Sequence, residues 1–173
     1  RSQELEDAYS KMQHIANTDS LTQINNRYSF LNTFNSQLKK HKEQQKEFSL
    51  IMFDIDYFKL INDTYGHDVG DIVIVEITQT VKVCLREGDI FGRIGGEEFM
   101  IFLPHTSIHV AKEIAQRVRI AVYECDFSVV EHVTISLGVT AYTNAQDDSD
   151  ILKRVDTALY KAKALGRNRV VVY

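Results

Sequence analysis

Apolar residues near the start of the chain follow a heptad-like rhythm. Leu5, Ala8, Met12 and Ile15 are spaced three, four and three residues apart, as at the a and d positions of a coiled coil. The spacing predicts an opening helix and leaves two interpretations open. The helix is either the end of a signalling helix that pairs two copies of the domain, or an amphipathic helix packed on its own domain.

The rest of the chain alternates between strand-like and helical patterns. The polar run at 17–20 offers capping oxygens for a second helix over 21–45, and a continuous apolar run predicts a central strand over 48–56. The predicted elements that follow are a helix over 71–86 after a loop around Gly66 and Gly70, a hairpin with strands over 89–94 and 98–103, a helix over 107–123, a strand over 132–142, a helix over 148–165 and a strand over 169–173. This order predicts one α/β (α+β) domain with helices packed on a mixed sheet.

Glycine and proline mark the ends of several elements. Gly95 and Gly96 predict the positive φ angles of a tight hairpin turn. Pro104 ends the second hairpin strand, and Gly166 is placed to cap the last long helix.

Composition narrows the class of protein. The chain has 173 residues, 44% of them hydrophobic and 25% charged, which describes one ordinary soluble domain. A net charge of −4 argues against a general affinity for nucleic acid or anionic membranes, so a polyanion must be bound in a local basic pocket. Cys84 and Cys125 lie far apart in apolar stretches, which predicts buried thiols and a cytoplasmic, reducing location. Because the chain begins with Arg1, we expect it to be part of a longer protein that could carry a sensor or a membrane anchor.

Acidic residues follow the central strand and the glycine turn. Asp54 and Asp56 flank Ile55, so their side chains leave the strand on the same face. Glu97 and Glu98 follow the turn, and a hairpin beside the first strand would bring them to the same rim. Mg²⁺ is commonly held by one or two carboxylates together with substrate phosphates. The pattern therefore indicates a nucleotide site, with a solvated strand end as the alternative.

Three stretches carry a resemblance to a known family. Residues 54–71, the run Gly-Gly-Glu-Glu-Phe at 95–99 and residues 159–170 resemble the GGDEF family, the catalytic domains of bacterial diguanylate cyclases, with the similarity running over about 19–173. The resemblance implies a largely antiparallel, mixed five-stranded sheet flanked by helices, with the palm-like fold of nucleotidyl cyclases. It also implies the condensation of two GTP into cyclic di-GMP and two pyrophosphates by a homodimer.

The same resemblance assigns the metal and catalytic residues. It implies that Asp54, the backbone carbonyl of Ile55 and Glu97 hold two Mg²⁺ ions per half-site, with Mn²⁺ as a substitute, while Glu98 supports that shell. Glu97 is also the candidate to accept the proton of the attacking 3′-hydroxyl. Lys59 would offset charge in the transition state.

The resemblance further assigns the contacts to GTP. Asn62 and Asp71 match the guanine-binding pair, and a carboxylate can accept from the N1 and N2 donors of guanine. For Asp71 the alternative is an N-cap after Gly70. His67 is a further candidate for contact with the substrate, and a loop-ordering hydrogen bond is its alternative role. The other implied substrate contacts are Phe58, Gly95, Gly96, Lys163 and Arg167. For the last two, which the family uses on terminal phosphates, a solvated helix end is the alternative.

A second ligand site is implied next to the hairpin. Arg86 and Asp89 form an RxxD pattern where the family carries a product-binding inhibitory site, and Arg117 is a third candidate. Arginine binds phosphate bidentately and aspartate accepts from guanine, so the chemistry is adequate. We expect allosteric inhibition by cyclic di-GMP.

The family motif DPLTGLxNRR is altered in this chain. Residues 19–28 read DSLTQINNRY, so the proline, the glycine and the final arginine are replaced. These changes concern the local loop and lie away from the metal and guanine positions.

The resemblance also predicts the organisation and partners. We expect a signalling or linker helix over 1–16 and a catalytic domain over 17–173, with GTP as substrate, cyclic di-GMP as product and inhibitor, a second copy, and an upstream sensor domain. No nucleic acid and no membrane contact by this part of the protein are expected. The alternatives are a degenerate domain that binds GTP or cyclic di-GMP and signals through a partner, or a cyclase that accepts ATP, against which Asp71 argues.

Overall fold

Five strands form one mixed sheet. They are β1 (Phe48–Ile55), β2 (Ile90–Arg93), β3 (Glu98–Pro104), β4 (Ile135–Tyr142) and β5 (Val170–Val172), in the spatial order β2-β3-β1-β4-β5. Only β4 and β5 pair in parallel; the other neighbours are antiparallel. This computed structural model describes residues 1–143 and 150–173. The predicted mixed, largely antiparallel five-stranded sheet is confirmed.

Six helices accompany the sheet in the described ranges. They are α1 (Ser2–Asn17), α2 (Arg27–Gln44), α3 (Phe58–Tyr65), α4 (His67–Val83), α5 (Ile108–Tyr123) and α6 (Ile151–Ala164). The helix predicted from residue 21 begins at Arg27 instead, because Asn26 is its N-cap and accepts a hydrogen bond from the Ser29 amide. Asp150 is the N-cap of α6 in the same way. Residue 148, at which the sequence predicts the start of this helix, lies outside the described residues.

The predicted loop around Gly66 and Gly70 is wrong. An additional helix, α3, follows β1 directly, and α4 begins at His67 after the break at Gly66, whose φ is 92°. Gly70 lies inside α4 and allows that helix to approach α3, since a Cβ there would stand 1.9 Å from Oδ1 of Asn62. Asp71 is therefore a residue of α4, which excludes the N-cap interpretation.

The glycines of the hairpin turn do not have the predicted conformation. The two glycines with positive φ in the described chain are Gly66 and Gly166, so Gly95 and Gly96 do not need that freedom. A Cβ on Gly95 would instead lie 3.0 Å from Oε2 of Glu98, whereas a Cβ on Gly96 would meet nothing within 4 Å. The pair keeps the turn free of side chains. Gly166, with φ 118°, follows α6 as predicted.

The core has one apolar layer on each face of the sheet. Phe53 and Phe99 belong to the layer beneath α4 and α5, and Phe48 and Phe102 belong to the layer beneath α2 and α6. Every residue of β1 is buried, which confirms a central strand covered on both faces. Cys84 and Cys125 are only partly buried, contrary to the prediction, because they lie at the ends of α4 and α5 near the surface.

Helix α1 does not pack its apolar side on the domain. Leu5, Met12 and Ile15 are 72%, 68% and 76% exposed, and α1 has no buried residue. It is attached at its C-terminal end, where the Asn26 side chain donates to the carbonyl of Ala16 at 2.8 Å. Packing on its own domain is thereby excluded, while pairing with a second copy stays a prediction. Among the described residues, no helix is both long and apolar enough to cross a membrane.

Gly138 sets the distance between β4 and α6 and yields a stability prediction. A Cβ at this position would lie 2.4 Å from the backbone nitrogen of Leu159 and 2.6 Å from the carbonyl oxygen of Val155. Because backbone atoms cannot move aside, Gly138→Ala should lower the free energy of unfolding by about 3 kcal/mol in urea denaturation. Gly88→Ala is the matched control, since the nearest atom to its Cβ is 3.9 Å away. Equal stability of the two variants would contradict this packing.

Candidate active site

The end of β1 and the hairpin turn lie side by side. Asp54 is opposite Glu98 in the register of β1 and β3, and the amide of Ile55 donates to the carbonyl of Glu97 at 3.2 Å. The antiparallel pairing therefore places both glutamates at the rim where β1 ends, as the sequence predicts. Within the described residues, no group of three or more acidic, histidine or cysteine side chains is arranged to hold a metal ion on its own.

Asp54 is a buried carboxylate with a cation beside it. The residue is 6% exposed, and burial raises the pKa of Asp54 to about 6. The Lys163 ammonium, which extends from α6 and forms an ion pair with Oδ2 of Asp54, acts in the opposite direction and lowers that pKa. The negative charges of Glu97 and Glu98 raise the pKa further. This rim therefore favours binding of positive charge.

A cleft of about 180 Å³ opens beside Asp54. Its walls contain the predicted metal and phosphate residues Asp54, Ile55, Phe58, Lys59, Glu97, Lys163 and Arg167, together with Asp56 and Tyr57. The side chain of Phe58 belongs to the core beneath α4, so only its backbone is available to a ligand. Lys59 is exposed at the mouth of the cleft.

The two cations after β4 line the cleft and are partly buried. Lys163 pairs with Asp54, and the guanidinium of Arg167 lies 4.6 Å from the ring centroid of Tyr57. These contacts argue against the solvated helix end. Arg167 occupies the turn after Gly166 with φ 64°, a conformation that few residues other than glycine adopt.

The predicted guanine pair lies at the junction of α3 and α4. Oδ1 of Asn62 is buried and has no hydrogen-bond partner among the described residues. A buried polar atom without a partner is costly, which is typical of a site completed by a ligand. Asp71 is exposed one residue after Gly70. His67 is also exposed and makes no hydrogen bond in the described chain, which removes support from its loop-ordering interpretation.

Arg93 connects the hairpin turn to the segment after α1, and the sequence pattern does not single it out. Its guanidinium donates to the carbonyl of Gly96 at 2.8 Å and to both carboxylate oxygens of Asp19 at 3.3 and 3.2 Å. Asp19 in turn accepts from the backbone and hydroxyl of Thr22. This chain keeps Asp19 of the family motif, together with Leu21 and Thr22, but no sequence pattern indicates Arg93 as its partner. Gln23, which replaces the family's glycine, adopts φ 62°.

The RxxD residues form a closed turn. The backbone amide and guanidinium of Arg86 donate to Asp89 at 2.9 and 3.3 Å, and the Asp89 side chain is 1% exposed. Arg86 also donates to the hydroxyl of Thr106 at 2.7 Å. Arg117 lies near this turn and donates to the carbonyl of Cys84 at 2.6 Å. Because the Asp89 carboxylate is buried and accepts both hydrogen bonds from Arg86, a ligand can reach it only if this turn opens.

Comparison with known proteins identifies the family. The sequence model of the family described as diguanylate cyclase, GGDEF domain, matches residues 16–169, so the chain belongs to that family. The diguanylate cyclase DgcM of Escherichia coli K12 is 37% identical over 161 residues, which are 93% of this chain and 39% of that protein. The response regulator PleD of Caulobacter vibrioides is 40% identical over 163 residues, with 91% of this chain and 36% of PleD covered. The chain thus spans well under half the length of these two relatives.

Solved structures show the same fold. The coiled coil and GGDEF domain of DgcB from Caulobacter crescentus, in complex with c-di-GMP, has a TM-score of 0.90 at 27% identity, covering 99% of this chain and 93% of that chain. The diguanylate cyclase SiaD of Pseudomonas aeruginosa, in complex with its activator SiaC, has a TM-score of 0.87 at 35% identity, covering 99% and 67%.

The Asp19–Arg93 pair generates a pH prediction. Burial by itself would raise the pKa of Asp19, but the hydrogen bonds from Thr22 and the charge of Arg93 outweigh it and lower the pKa below 3.8. A lowered pKa in the folded state contributes stability above pH 4 that is lost as the pH falls through that pKa. Asp19→Asn should therefore cost at most about 1 kcal/mol at pH 7, because solvent partly screens the pair.

The difference in unfolding free energy between wild type and Asp19→Asn should shrink as the pH falls from 5 to 2. Denaturant titrations across this range measure it. Asp126→Asn, a change at an exposed carboxylate of the α5–β4 connection, is the control and should show no such trend. A pH-independent effect of Asp19→Asn would refute the assignment.

Proposed function

We propose that this chain is the catalytic domain of a diguanylate cyclase, which condenses two GTP into cyclic di-GMP with release of two pyrophosphates. The observation that carries the proposal is the buried Asp54 carboxylate, which lies beside Glu97 and Glu98 and is paired with Lys163. A site of this kind suits a divalent cation and the phosphates it brings.

The acidic rim fits the metal that such a reaction needs. Diguanylate cyclases of this family generally depend on a divalent metal. Asp54, the carbonyl of Ile55 and Glu97 would hold two Mg²⁺ ions, or Mn²⁺ in their place, while Glu98 supports the shell from β3. When bound, the metal neutralises triphosphate charge and makes the 3′-hydroxyl a better nucleophile.

The chain's own residues bind and orient the nucleotide. Asn62, whose Oδ1 is buried, and exposed Asp71 receive the guanine edge, whose N1 and N2 donors match their oxygens. His67, at the start of α4, lines the same side. Because Gly95 and Gly96 have no side chains, the backbone of the turn can approach the nucleotide closely.

Proton and charge movements follow from this placement. The 3′-hydroxyl of one GTP attacks the α-phosphorus of the other in line, and its proton passes to the Glu97 carboxylate. Negative charge develops on the departing pyrophosphate, where Lys59, Lys163 and Arg167 offset it.

A product with two-fold symmetry requires two facing half-sites. The exposed apolar residues of α1 provide a surface that suits pairing with a second copy, so residues 1–16 act as a dimerising signalling helix and 17–173 as the catalytic unit. Arg93 joins the segment after α1 to the carbonyl of Gly96, through which an upstream sensor would influence the turn. We place the domain in the cytoplasm, where GTP is available.

Removal of the metal-binding charges tests the proposed activity. We expect Asp54→Asn and Glu97→Gln to lower the rate of cyclic di-GMP formation at least about 100-fold, because each removes a charge that acts in the transition state. The protein is forced to dimerise by a parallel zipper fused in register with α1, and product is followed in Mg²⁺ and GTP.

Glu131→Gln, which neutralises an exposed acid before β4, is the matched control and should keep the full rate. Retained synthesis by both site variants would contradict the proposal. A wild-type dimer that binds GTP tightly and forms no dinucleotide would indicate a degenerate receptor instead.

Product inhibition at the RxxD turn makes a separate prediction. Asp89 is buried and bonded to Arg86, so cyclic di-GMP would have to engage the guanidinium and open the turn. Arg86→Ala should raise the cyclic di-GMP concentration for half-inhibition at least about tenfold, each rate being normalised to that variant's uninhibited rate. Lys82→Ala, on the exposed side of α4, is the control. Unchanged inhibition of Arg86→Ala would place the inhibitory site elsewhere.

A further inference from the structure

The second aspartate of the β1 end has partners different from those of the first. Asp56 is 5% exposed, and its Oδ1 accepts from the hydroxyl of Ser136 at 2.6 Å. Its Oδ2 accepts from the hydroxyl of Thr134 at 2.7 Å and from the backbone amide of Asn168 at 3.0 Å. This carboxylate therefore joins the end of β1 to the start of β4 and to the turn after α6.

The turn that Asp56 holds has an unfavourable backbone. Gly166, Arg167 and Asn168 have φ angles of 118°, 64° and 43° in succession. Residues other than glycine adopt this region at an energetic cost, so such a run persists only where the surroundings impose it. Asp56 supplies one of these constraints, and the Arg119 guanidinium supplies another by donating to Oδ1 of Asn168 at 3.1 Å.

The same carboxylate also determines the surroundings of Arg167. Asn168 follows Arg167, and Tyr57, whose ring lies beneath the Arg167 guanidinium, follows Asp56. Tyr57 itself has φ 55°. Asp56 thus precedes one member of this stacked pair, Tyr57, and accepts a hydrogen bond from the residue that follows the other member, Arg167.

We propose that Asp56 is a positioning residue that holds Arg167 against the terminal phosphates of the bound nucleotide, and that it is not a second metal ligand. The inference rests on the proposed function, which supplies the nucleotide. Three of the roughly four acceptor sites of the carboxylate are already used. A metal ion that displaced these donors from Asp56 would leave the buried Ser136 hydroxyl and the Asn168 amide without an acceptor.

Asparagine at position 56 separates the two roles. Its carbonyl oxygen can accept from Thr134 and Asn168 while its amide donates to the Ser136 hydroxyl, so all three contacts survive without the charge. A metal ligand would lose affinity with that charge. Asp56→Ala removes the contacts altogether, and Asp56→Ser serves if the alanine variant does not fold, because its short side chain cannot reach Asn168.

Calorimetry with a non-cyclisable α,β-methylene analogue of GTP, and separately with GDP, in Mg²⁺ tests the proposal. We expect Arg167→Ala and Asp56→Ala each to weaken binding of the triphosphate about tenfold and that of GDP less than about threefold. The double variant should bind no more weakly than Arg167→Ala alone, and Asp56→Asn should bind within about threefold of wild type. Additive losses, equal losses for both nucleotides, or a raised Mg²⁺ requirement in Asp56→Asn would overturn the proposal.

Hydrogen exchange of the Asn168 amide provides a readout that needs no nucleotide. The amide should be protected in wild type, Arg167→Ala and Asp56→Asn, and should exchange rapidly in Asp56→Ala. Protection that persists in Asp56→Ala would refute the role of Asp56 in the turn. Failure of the wild type to bind the analogue, with this exchange pattern intact, would refute the proposed function and the phosphate role while leaving the turn contact established.

Discussion

The structure depends on one electrostatic constraint, the burial of the Asp54 carboxylate at the end of a strand covered on both faces. A charge removed from water needs a compensating charge, and the fold supplies Lys163 for that purpose. Burial raises the pKa of Asp54, and the negative charges of Glu97 and Glu98 beside it raise that pKa further. The ion pair with Lys163 compensates the buried charge at the rim where we propose that a metal and a triphosphate bind.

This arrangement is a consequence of sheet register and close packing. Pairing of β1 with β3 brings the glycine turn next to Asp54, and pairing with β4 brings Ser136 opposite it. Gly138 allows the backbone of α6 to approach β4 closely. This approach places Lys163 of α6 at the cleft. The turn that follows α6 then returns toward the end of β1, where Asp56 holds it. Apolar packing and the polar site are therefore parts of one geometry.

Much of the fold and most of the cleft residues could be predicted from the sequence. The apolar run of β1, the acidic residues after it and the glycine turn are local signals, and the family resemblance relates them to one another. Helix α3 was missed because it is short and is followed directly by Gly66 and Gly70, which predict a loop, whereas Gly70 allows the close contact of two helices. Arg93, and the contacts of Asp56 with Ser136 and Asn168, could not be predicted from spacing, since their partners are distant in the chain.

The identity of the product tests directly whether this chain is the catalytic domain of a diguanylate cyclase. A zipper-paired wild-type dimer is incubated with Mg²⁺ and GTP, and its products are separated by chromatography and identified by mass. We expect the dimer to form cyclic di-GMP from GTP, with two pyrophosphates released per molecule, and to form no dinucleotide from ATP alone. Bound GTP without any dinucleotide, or comparable products from ATP, would contradict it.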